Sequence, residues 1–318
     1  MDTAIETTEL TRLYGTLCAV DKLSLSIGNE IFGLLGPNGS GKTTTVLMLT
    51  TLLRPSSGSA TVCGHDVVSE AREVREHISY VPQEMAVDIK LTGRENVALF
   101  AKLYGIDRRD EKIDEVLEIM ELCDRADDLV RTYSGGMRRR LELAQALVHE
   151  PSVLFLDEPT IGLDVAARRK IWEHIRALKG RGMTIFVTTH YMDEADFSCD
   201  RVAILDHGKL VAVDSPAALK SRVGMDIITA RITGKWDGTL PEGIRFLGEE
   251  GDDLVFSAAE GSVKVPGLVR SFEDQGASVR SISVRTPTLD DIFLSLVQTR
   301  DDAGGFDDHR FRTMLRRR

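Results

Sequence analysis

The feature that most constrains the fold of this chain is a glycine-rich run near the N-terminus. It reads Gly36-Pro37-Asn38-Gly39-Ser40-Gly41-Lys42-Thr43-Thr44, and we name it the phosphate loop. The run fits the pattern G-x-x-x-x-G-K-[ST], which binds phosphate when a strand precedes it and a helix follows it. Residues 31–35 are an apolar run that predicts a buried strand, and residues 44–49 can open a helix. These flanks favour a phosphate-binding loop over a chance glycine-rich turn.

Each residue type in the loop has a physical part in binding an anion. Gly36, Gly39 and Gly41 let the backbone wrap closely around a phosphate, because no Cβ stands in the way. The backbone N–H groups of the loop and the N-terminus of the following helix supply partial positive charge. We predict that Lys42 reaches the β- and γ-phosphates of a nucleotide and that the Thr43 hydroxyl binds Mg²⁺.

Composition narrows the class of protein. The chain has 318 residues, 42% of them hydrophobic and 28% charged, which is an ordinary globular balance. Its net charge of −10 disfavours a nucleic-acid-binding protein. The four cysteines fit no metal or redox spacing, and we interpret them as reduced thiols. No apolar stretch approaches the length of a membrane span and the N-terminus lacks a signal-peptide pattern, so we expect a cytoplasmic chain.

Hydrophobic patterning predicts an α/β core with additions. Short apolar runs before residue 62 predict mostly strands, and helical spacing over about 88–147 predicts a helical insertion. Apolar runs at 153–156, 184–189 and 201–205 alternate with helical patterns, which is typical of a parallel sheet with crossover helices.

The composition changes after about residue 223, where glycines separate short strand-like runs. We predict a nucleotide-binding domain at 1–222, a small α+β accessory domain at 223–298 and a polar, flexible tail at 299–318.

Two carboxylates follow a predicted buried strand. Asp157 and Glu158 come directly after residues 153–156, at the sheet edge where open α/β folds bind ligands. Asp157 is placed to hold Mg²⁺, and Glu158 is placed to polarise the water that attacks the γ-phosphate. The alternative is a strand that ends in a solvated acidic turn, but the phosphate loop already supplies a site that needs both groups.

A second anion site is predicted at Ser134, Gly135 and Gly136. Ser134 occupies an N-cap position, and the two glycines leave helix N–H groups uncovered. Alone, this segment is equally compatible with an ordinary serine-capped helix. Two phosphate-binding helix ends in one chain suggest that each nucleotide contacts both, from different subunits.

Two further polar residues belong to this pattern. His190 ends the run at 184–189 and is a candidate contact of the γ-phosphate, although a lone histidine there is more often a packed residue. Gln83 lies where the core gives way to the helical insertion, and its amide could bind Mg²⁺ or water and sense the position of the insertion. Alone, Gln83 would be an ordinary surface residue.

Together, these motifs resemble the ATP-binding subunit of ATP-binding-cassette (ABC) transporters over about residues 5–219. Gly36 to Thr43 match the Walker A motif and Gln83 matches the Q-loop. Asp157 and Glu158 match Walker B with its catalytic glutamate. The other matches are the signature segment 134–137, the D-loop at 161–164 with Asp164, the switch histidine His190 and the adenine-stacking aromatic Tyr14.

The sequence departs from the family signature at two positions, and two of its segments resemble one subgroup of the family. Tyr133 and Met137 replace the usual Leu and Gln of the signature, and we expect function to survive because Ser134 and backbone N–H groups make the phosphate contact. The run around these residues and the C-terminal segment 286–294 look like the daunorubicin-resistance, multidrug-exporter subgroup. Without the resemblance, Tyr14 would be interpreted as an aromatic residue of the core rather than as an adenine contact.

The resemblance implies a P-loop NTPase core with an antiparallel β subdomain and a helical insertion, plus the small C-terminal α+β domain. It implies a transport-coupled ATPase, with two copies arranged head to tail and each Mg²⁺–ATP held between Lys42 of one subunit and Ser134 of the other. The subunit would lie on the cytoplasmic face of the membrane, bound to a separate transmembrane permease that exports drugs or other amphipathic compounds. The implied catalytic residues are Glu158, His190, Lys42 and Gln83. The implied Mg²⁺ ligands are Thr43, Gln83 and Asp157.

Two alternative functions remain open at this point. The same ATPase core drives soluble machines that act on ribosomes or DNA, although this chain has one cassette, no sustained heptad between Lys42 and Asp157, and an acidic balance. The second alternative is a regulator that binds ATP without hydrolysing it. The presence of Glu158 and His190 argues against that function.

Overall fold

The computed structural model describes residues 3–223 and 225–293, and the chain divides into two compact units, Met1–Ser215 and Pro216–Arg318. The strands of the first unit are β1 (Ile5–Tyr14), β2 (Leu17–Ile27), β3 (Ile31–Leu35), β4 (Ser57–Val62), β5 (His65–Asp66), β6 (Ile78–Val81), β7 (Val153–Asp157), β8 (Thr184–Thr189), β9 (Arg201–Asp206) and β10 (Lys209–Asp214). Its α-helices are α1 (Lys42–Leu49), α2 (Ala71–His77), α3 (Gly93–Leu103), α4 (Arg109–Ile119), α5 (Gly135–Leu147), α6 (Val165–Gly180) and α7 (Met192–Ser198).

A six-stranded sheet organises the first unit in the order β10-β9-β3-β8-β7-β6. Strands β9, β3, β8, β7 and β6 pair in parallel, and β10 is antiparallel to β9. Every residue of β3, β7 and β8 is buried, as expected for central parallel strands with uninterrupted apolar sequences. Because β3, β8 and β7 are neighbours, their carboxyl ends meet at one edge of the sheet.

The second sheet is antiparallel, in the order β2-β1-β4-β5, and it shares one core with the first. Leu23 of β2, Met48 of α1 and Phe186 of β8 belong to the same buried cluster. The Phe186 ring lies 5.6 Å from that of Phe32 and 5.4 Å from that of Phe155, measured between centroids. The predicted antiparallel β subdomain on an α/β core is therefore confirmed.

The chain between β6 and β7 is mainly helical, as predicted. Helices α3, α4 and α5 pack on one another there, with short 3-10 turns at Cys123–Arg125 and Val130–Thr132. Thr92 begins α3 with a capping box, since its hydroxyl accepts the Glu95 N–H while the Glu95 carboxylate accepts the Thr92 N–H.

The second unit is a small α+β fold with its own core. It contains α8 (Pro216–Val223), β11 (Asp226–Thr233), β12 (Ile244–Glu250), β13 (Asp253–Ala258), α9 (Gly261–Asp274) and β14 (Ser278–Arg285), and its sheet runs β12-β13-β11-β14. The Trp236 ring packs edge-on against Phe246, Phe256 and Phe272.

Along the chain, the first unit ends at Ser215 and the second begins at Pro216, so α8 belongs to the second unit. The sequence-based domain limits at 222 and 298 stay predictions. The last residues of the predicted accessory domain, 294–298, and the predicted tail, 299–318, lie outside the described residues.

Candidate active site

The phosphate loop connects β3 to α1 in a conformation that requires glycine at two positions. Gly41 has a φ of +104°, and a Cβ on it would lie 2.3 Å from the Ala19 carbonyl oxygen. A Cβ on Gly36 would lie 2.3 Å from the Leu205 carbonyl oxygen. The neighbouring main chain therefore holds the loop on two sides, and only glycine fits that close approach.

A turn between β9 and β10 also fixes the loop. Gly208, which is buried, donates its N–H to the Ser40 carbonyl oxygen at 3.0 Å. Its own carbonyl oxygen accepts the Asp21 N–H at 2.8 Å. Main-chain bonds thus join the phosphate loop to both sheets of the unit.

Polar groups in the loop fit an anionic ligand. Gly41 is the N-cap of α1 and has no side chain that could bond the N–H groups of the first turn. Ser40 Oγ is buried, and it has no hydrogen-bond partner among the described residues. Thr43 is exposed at the same helix end, and Thr44 is half-buried. A phosphate group would satisfy these donors.

Lys42 is buried in the loop and faces two carboxylates. Its ammonium donates to the Gly36 and Pro37 carbonyl oxygens at 2.8 and 3.1 Å. Its Nζ lies 3.8 Å from Glu158 Oε1. Burial lowers the pKa of Lys42, and the nearby charges of Glu158 and Asp157 partly oppose that effect.

The predicted carboxylates stand at the end of β7, beside β8. Asp157 is 1% exposed and accepts a hydrogen bond from the Thr188 hydroxyl. The Glu158 N–H donates to Thr188 at 3.1 Å, and Glu158 adopts a left-handed backbone with a φ of +48°. Burial, with the charge of Asp157 beside it, raises the pKa of Tyr80 to about 12.

His190 lies next to Glu158 rather than in a packed core. Its Nδ1 is 3.1 Å from Glu158 Oε2, although the angle is outside hydrogen-bond geometry, and the side chain is 30% exposed. Glu158 therefore lies between the Lys42 ammonium and the His190 imidazole.

Gln83 and Tyr14, the predicted Q-loop and adenine-stacking residues, are both exposed. Gln83 lies two residues after β6. Tyr14, at the end of β1, is 44% exposed, so it is not the core aromatic of the alternative interpretation. The Arg12 guanidinium covers one face of its ring, 4.7 Å from the centroid.

The signature segment caps α5 as its sequence predicts. Ser134 Oγ accepts the Met137 N–H at 3.2 Å, and Ser134 and Gly135 are exposed. Tyr133 points inward and donates to the Arg125 carbonyl oxygen. A Cβ on Gly136 would lie 2.8 Å from Ala167 Cβ of α6. Helix packing is thus a second reason for glycine there.

Asp164 caps the next helix. Its carboxylate accepts the Ala167 N–H at 2.8 Å at the start of α6, and Asp164 itself is exposed. Because Gly136 of α5 lies against Ala167 of α6, the exposed N-terminal ends of the two helices are adjacent.

Comparison with known proteins identifies the family of this chain. The family profile of the ABC transporter matches residues 20–161. The chain is 42% identical over 311 residues to the daunorubicin resistance ATP-binding protein DrrA3 of Streptomyces coeruleorubidus, covering 95% of this chain and 97% of that protein. This chain belongs to the ABC transporter ATP-binding subunits.

This ABC subunit is also similar to a second resistance protein and to a solved cassette structure. It is 36% identical over 303 residues to the linearmycin resistance ATP-binding protein LnrL of Bacillus subtilis, covering 92% of this chain and 97% of that protein. It is also similar to the solved structure of cbiO1 from Clostridium perfringens, with a TM-score of 0.66, 26% identity, and coverage of 70% of this chain and 92% of that one.

The family assignment decides between the functions that the sequence left open. The ABC subunit is a transport-coupled ATPase, so the binding-only regulator is excluded, and no relative named above supports a nucleic-acid or ribosomal machine. Across residues 3–223 and 225–293, no helix has the length and hydrophobicity that a bilayer span requires.

Sequence reasoning missed two residues of this ABC subunit that bond Asp157 and Glu158, one through a carboxylate and one through the main chain. Thr188 bonds Asp157 and Glu158, and the apolar pattern of β8 marks it only as a strand residue. Arg139 bonds the main chain around Glu158 from α5. The one available signal was an opposite-charge pair with Glu142 at i, i+3 spacing.

Proposed function

We propose that Glu158 activates the water that attacks the γ-phosphate of ATP, and that Lys42 and His190 bind that phosphate from either side. The position of the Glu158 carboxylate, 3.8 Å from Lys42 Nζ and 3.1 Å from His190 Nδ1, carries this proposal. Phosphoryl transfer depends mainly on positioning and charge stabilisation, which these three side chains supply.

The oxygen-rich side chains of the site fit Mg²⁺. Among the described residues, no group of three or more histidine, cysteine, aspartate or glutamate side chains could hold a metal ion. Mg²⁺ is usually held by one or two carboxylates together with substrate phosphates. Asp157, the Thr43 hydroxyl and the Gln83 amide would complete such a set, and the ion would neutralise charge on the phosphates.

Two copies are proposed to close head to tail on two nucleotides. The exposed Ser134 and Gly135 of one copy would bind the γ-phosphate held by Lys42 of the other, with Asp164 nearby and Tyr14 against the adenine. A related cassette, 26% identical with a TM-score of 0.60 over 66% of this chain, was solved as a dimer in a post-hydrolysis state bound to ADP and Pi.

The dimer is proposed to drive a separate permease that exports drugs or other amphipathic compounds, with this subunit on the cytoplasmic face of the membrane. The names of the drug-resistance relatives support this choice. The helical insertion offers exposed apolar side chains for such a partner, since Leu99 is 48% exposed and Leu103 is 72% exposed.

Replacement of Glu158 tests the site. Glu158→Gln should lower steady-state phosphate release by about 100-fold or more, because the base is lost. It should also accumulate ATP-bound dimers in size-exclusion chromatography. Glu150→Gln is the matched control, because Glu150 also has a positive φ of 54° but pairs with Lys112. Normal turnover by the Glu158 variant would remove that residue from its role.

Export has its own test. Cells that co-express this subunit and its permease should lose a fluorescent anthracycline faster than cells carrying Lys42→Ala. Equal efflux rates would contradict the drug-export proposal and leave the ATPase assignment intact.

A further inference from the structure

Arg139 is a buried cation that links α5 to the catalytic edge of the sheet. Arg139 is 2% exposed, and it lies five residues after Ser134, the N-cap of α5. A buried guanidinium needs partners for its five N–H donors, and here all three nitrogens are bonded. None of its recorded partners is a ligand-facing side chain of the site described above.

One side of the guanidinium holds the main chain around Glu158. Nε donates to the Pro159 carbonyl oxygen at 2.9 Å. Nη2 donates to the carbonyl oxygens of Asp157 and Glu158 at 3.2 and 3.4 Å. These are three consecutive carbonyl groups, and the central one belongs to a residue in a left-handed conformation that is unfavourable for glutamate.

The other side of the guanidinium holds the segment around Gln83. Nη1 donates to the Pro82 carbonyl oxygen at 2.8 Å and to Glu142 Oε2 at 2.9 Å. The second oxygen of Glu142 accepts the Ala86 N–H. The segment that contains Gln83 is therefore attached to α5 both before and after that residue.

We propose that Arg139 is a positioning residue that fixes the main chain of Glu158 relative to α5, the helix that begins at Ser134. The planar fork of arginine spans carbonyl groups on two sides, which the single ammonium of lysine cannot do. When Ser134 binds a phosphate, the position of α5 is fixed, and the bonds of Arg139 to the main chain then orient the Glu158 carboxylate. This inference rests on the proposed role of Glu158.

The test compares four variants by steady-state ATPase kinetics, nucleotide affinity and thermal melting of the full chain. Arg139→Lys keeps the positive charge beside Glu142 but loses most of the carbonyl bonds. The double variant Arg139→Met/Glu142→Gln removes both buried charges together, so neither is left unpaired. Arg140→Lys is the matched control, because Arg140 bonds the Met120 and Glu121 carbonyl oxygens from the same helix. Glu158→Gln is measured in parallel.

Loss of positioning should appear in kcat and not in KM. We expect Arg139→Lys and the double variant to lower kcat by about 10- to 100-fold, with KM for ATP and ADP affinity within about threefold of the wild-type values. Arg140→Lys should keep wild-type kcat. If the double variant does not fold, Arg139→Lys decides the question.

Three outcomes would overturn the inference: wild-type kcat in Arg139→Lys, a rise in KM that matches the loss of kcat, or an equal loss in Arg140→Lys. If Glu158→Gln is inactive while Arg139→Lys is normal, only this inference fails. If Glu158→Gln turns over normally, the proposed function fails instead.

Discussion

At the scale of single residues, the phosphate loop depends on main-chain contacts that exclude a side chain. Gly41 faces the Ala19 carbonyl oxygen and has a positive φ, so steric contact and backbone conformation both require glycine. Gly105 also has a positive φ, but a Cβ there would meet no atom within 4 Å. Comparing these two glycines separates the two requirements.

Gly41→Ala should therefore destabilise the protein by about 3 kcal/mol or more, since backbone strain and a clash with main chain add together. Gly105→Ala should lower the free energy of unfolding by only about 1 kcal/mol, because alanine there is strained in the left-handed conformation but meets no neighbouring atom. Urea unfolding of both variants measures the difference. Equal losses would show that the contact with Ala19 relaxes freely.

The buried ammonium of Lys42 predicts a pH dependence of stability. Because its folded-state pKa is lowered, the unfolded chain holds a proton that the folded chain has lost at pH values between the lowered pKa and the ordinary 10.5. Stability therefore rises with pH across that window. The melting temperature of the nucleotide-free wild type, relative to Lys42→Met, should increase as the pH is raised toward the ordinary pKa of 10.5. A constant difference would contradict the lowered pKa.

Some residues of the site could be predicted from sequence and others could not. Asp157, Glu158 and His190 stand at or just after the ends of apolar strands, and Lys42 stands in the phosphate-loop motif, so the position of each follows from a local pattern. Arg139 stands between two other arginines, and only the packing of α5 against β7 and β6 distinguishes it from them.

At the scale of elements, α5 and α6 approach each other closely at their N-terminal ends. Gly136 faces Ala167, whereas a Cβ on Gly135 would make only an ordinary contact with Leu163 at 3.4 Å. The adjacent glycines therefore differ in what they contribute to packing.

Gly136→Ala should lower the free energy of unfolding by about 1–2 kcal/mol, because the added methyl group overpacks the helix contact. Gly135→Ala should leave stability unchanged or raise it slightly, since alanine favours a helix. Adding Ala167→Gly to Gly136→Ala should restore part of the loss. Denaturant unfolding of Gly136→Ala, Ala167→Gly and the double variant gives the coupling, and additive effects would argue against direct contact.

The identity of most elements follows from local patterns, but their arrangement does not. Fully apolar runs predict β3, β7 and β8 because central parallel strands are buried on both faces. The order β10-β9-β3-β8-β7-β6 is set by packing between segments far apart in the chain. No local pattern encodes that order, and it is this order that places Lys42 beside Glu158.

At the scale of the whole molecule, each compact unit contains one of the two tryptophans of the chain. Trp172 is 4% exposed and donates to Glu194 in the first unit. Trp236 packs against three phenylalanine rings in the second. Their fluorescence can report on the two units separately.

Trp236→Phe leaves only the reporter in the first unit, and Trp172→Phe leaves only the reporter in the second. We expect Mg²⁺–ATP to raise the unfolding midpoint reported by Trp172, because ligand binding stabilises the unit that holds it. The midpoint reported by Trp236 should stay unchanged. Midpoints that coincide and shift together would show that the chain unfolds as one cooperative system.

The β9–β10 turn has a practical consequence for anyone who labels this protein. Tight hairpin turns on a surface are usual places to insert an epitope tag or a fluorescent domain. Here the main chain of Gly208 is bonded to Ser40 on one side and to Asp21 on the other. An insertion at that turn would disturb the main-chain bonds that fix the phosphate loop, so a fusion partner should be placed elsewhere.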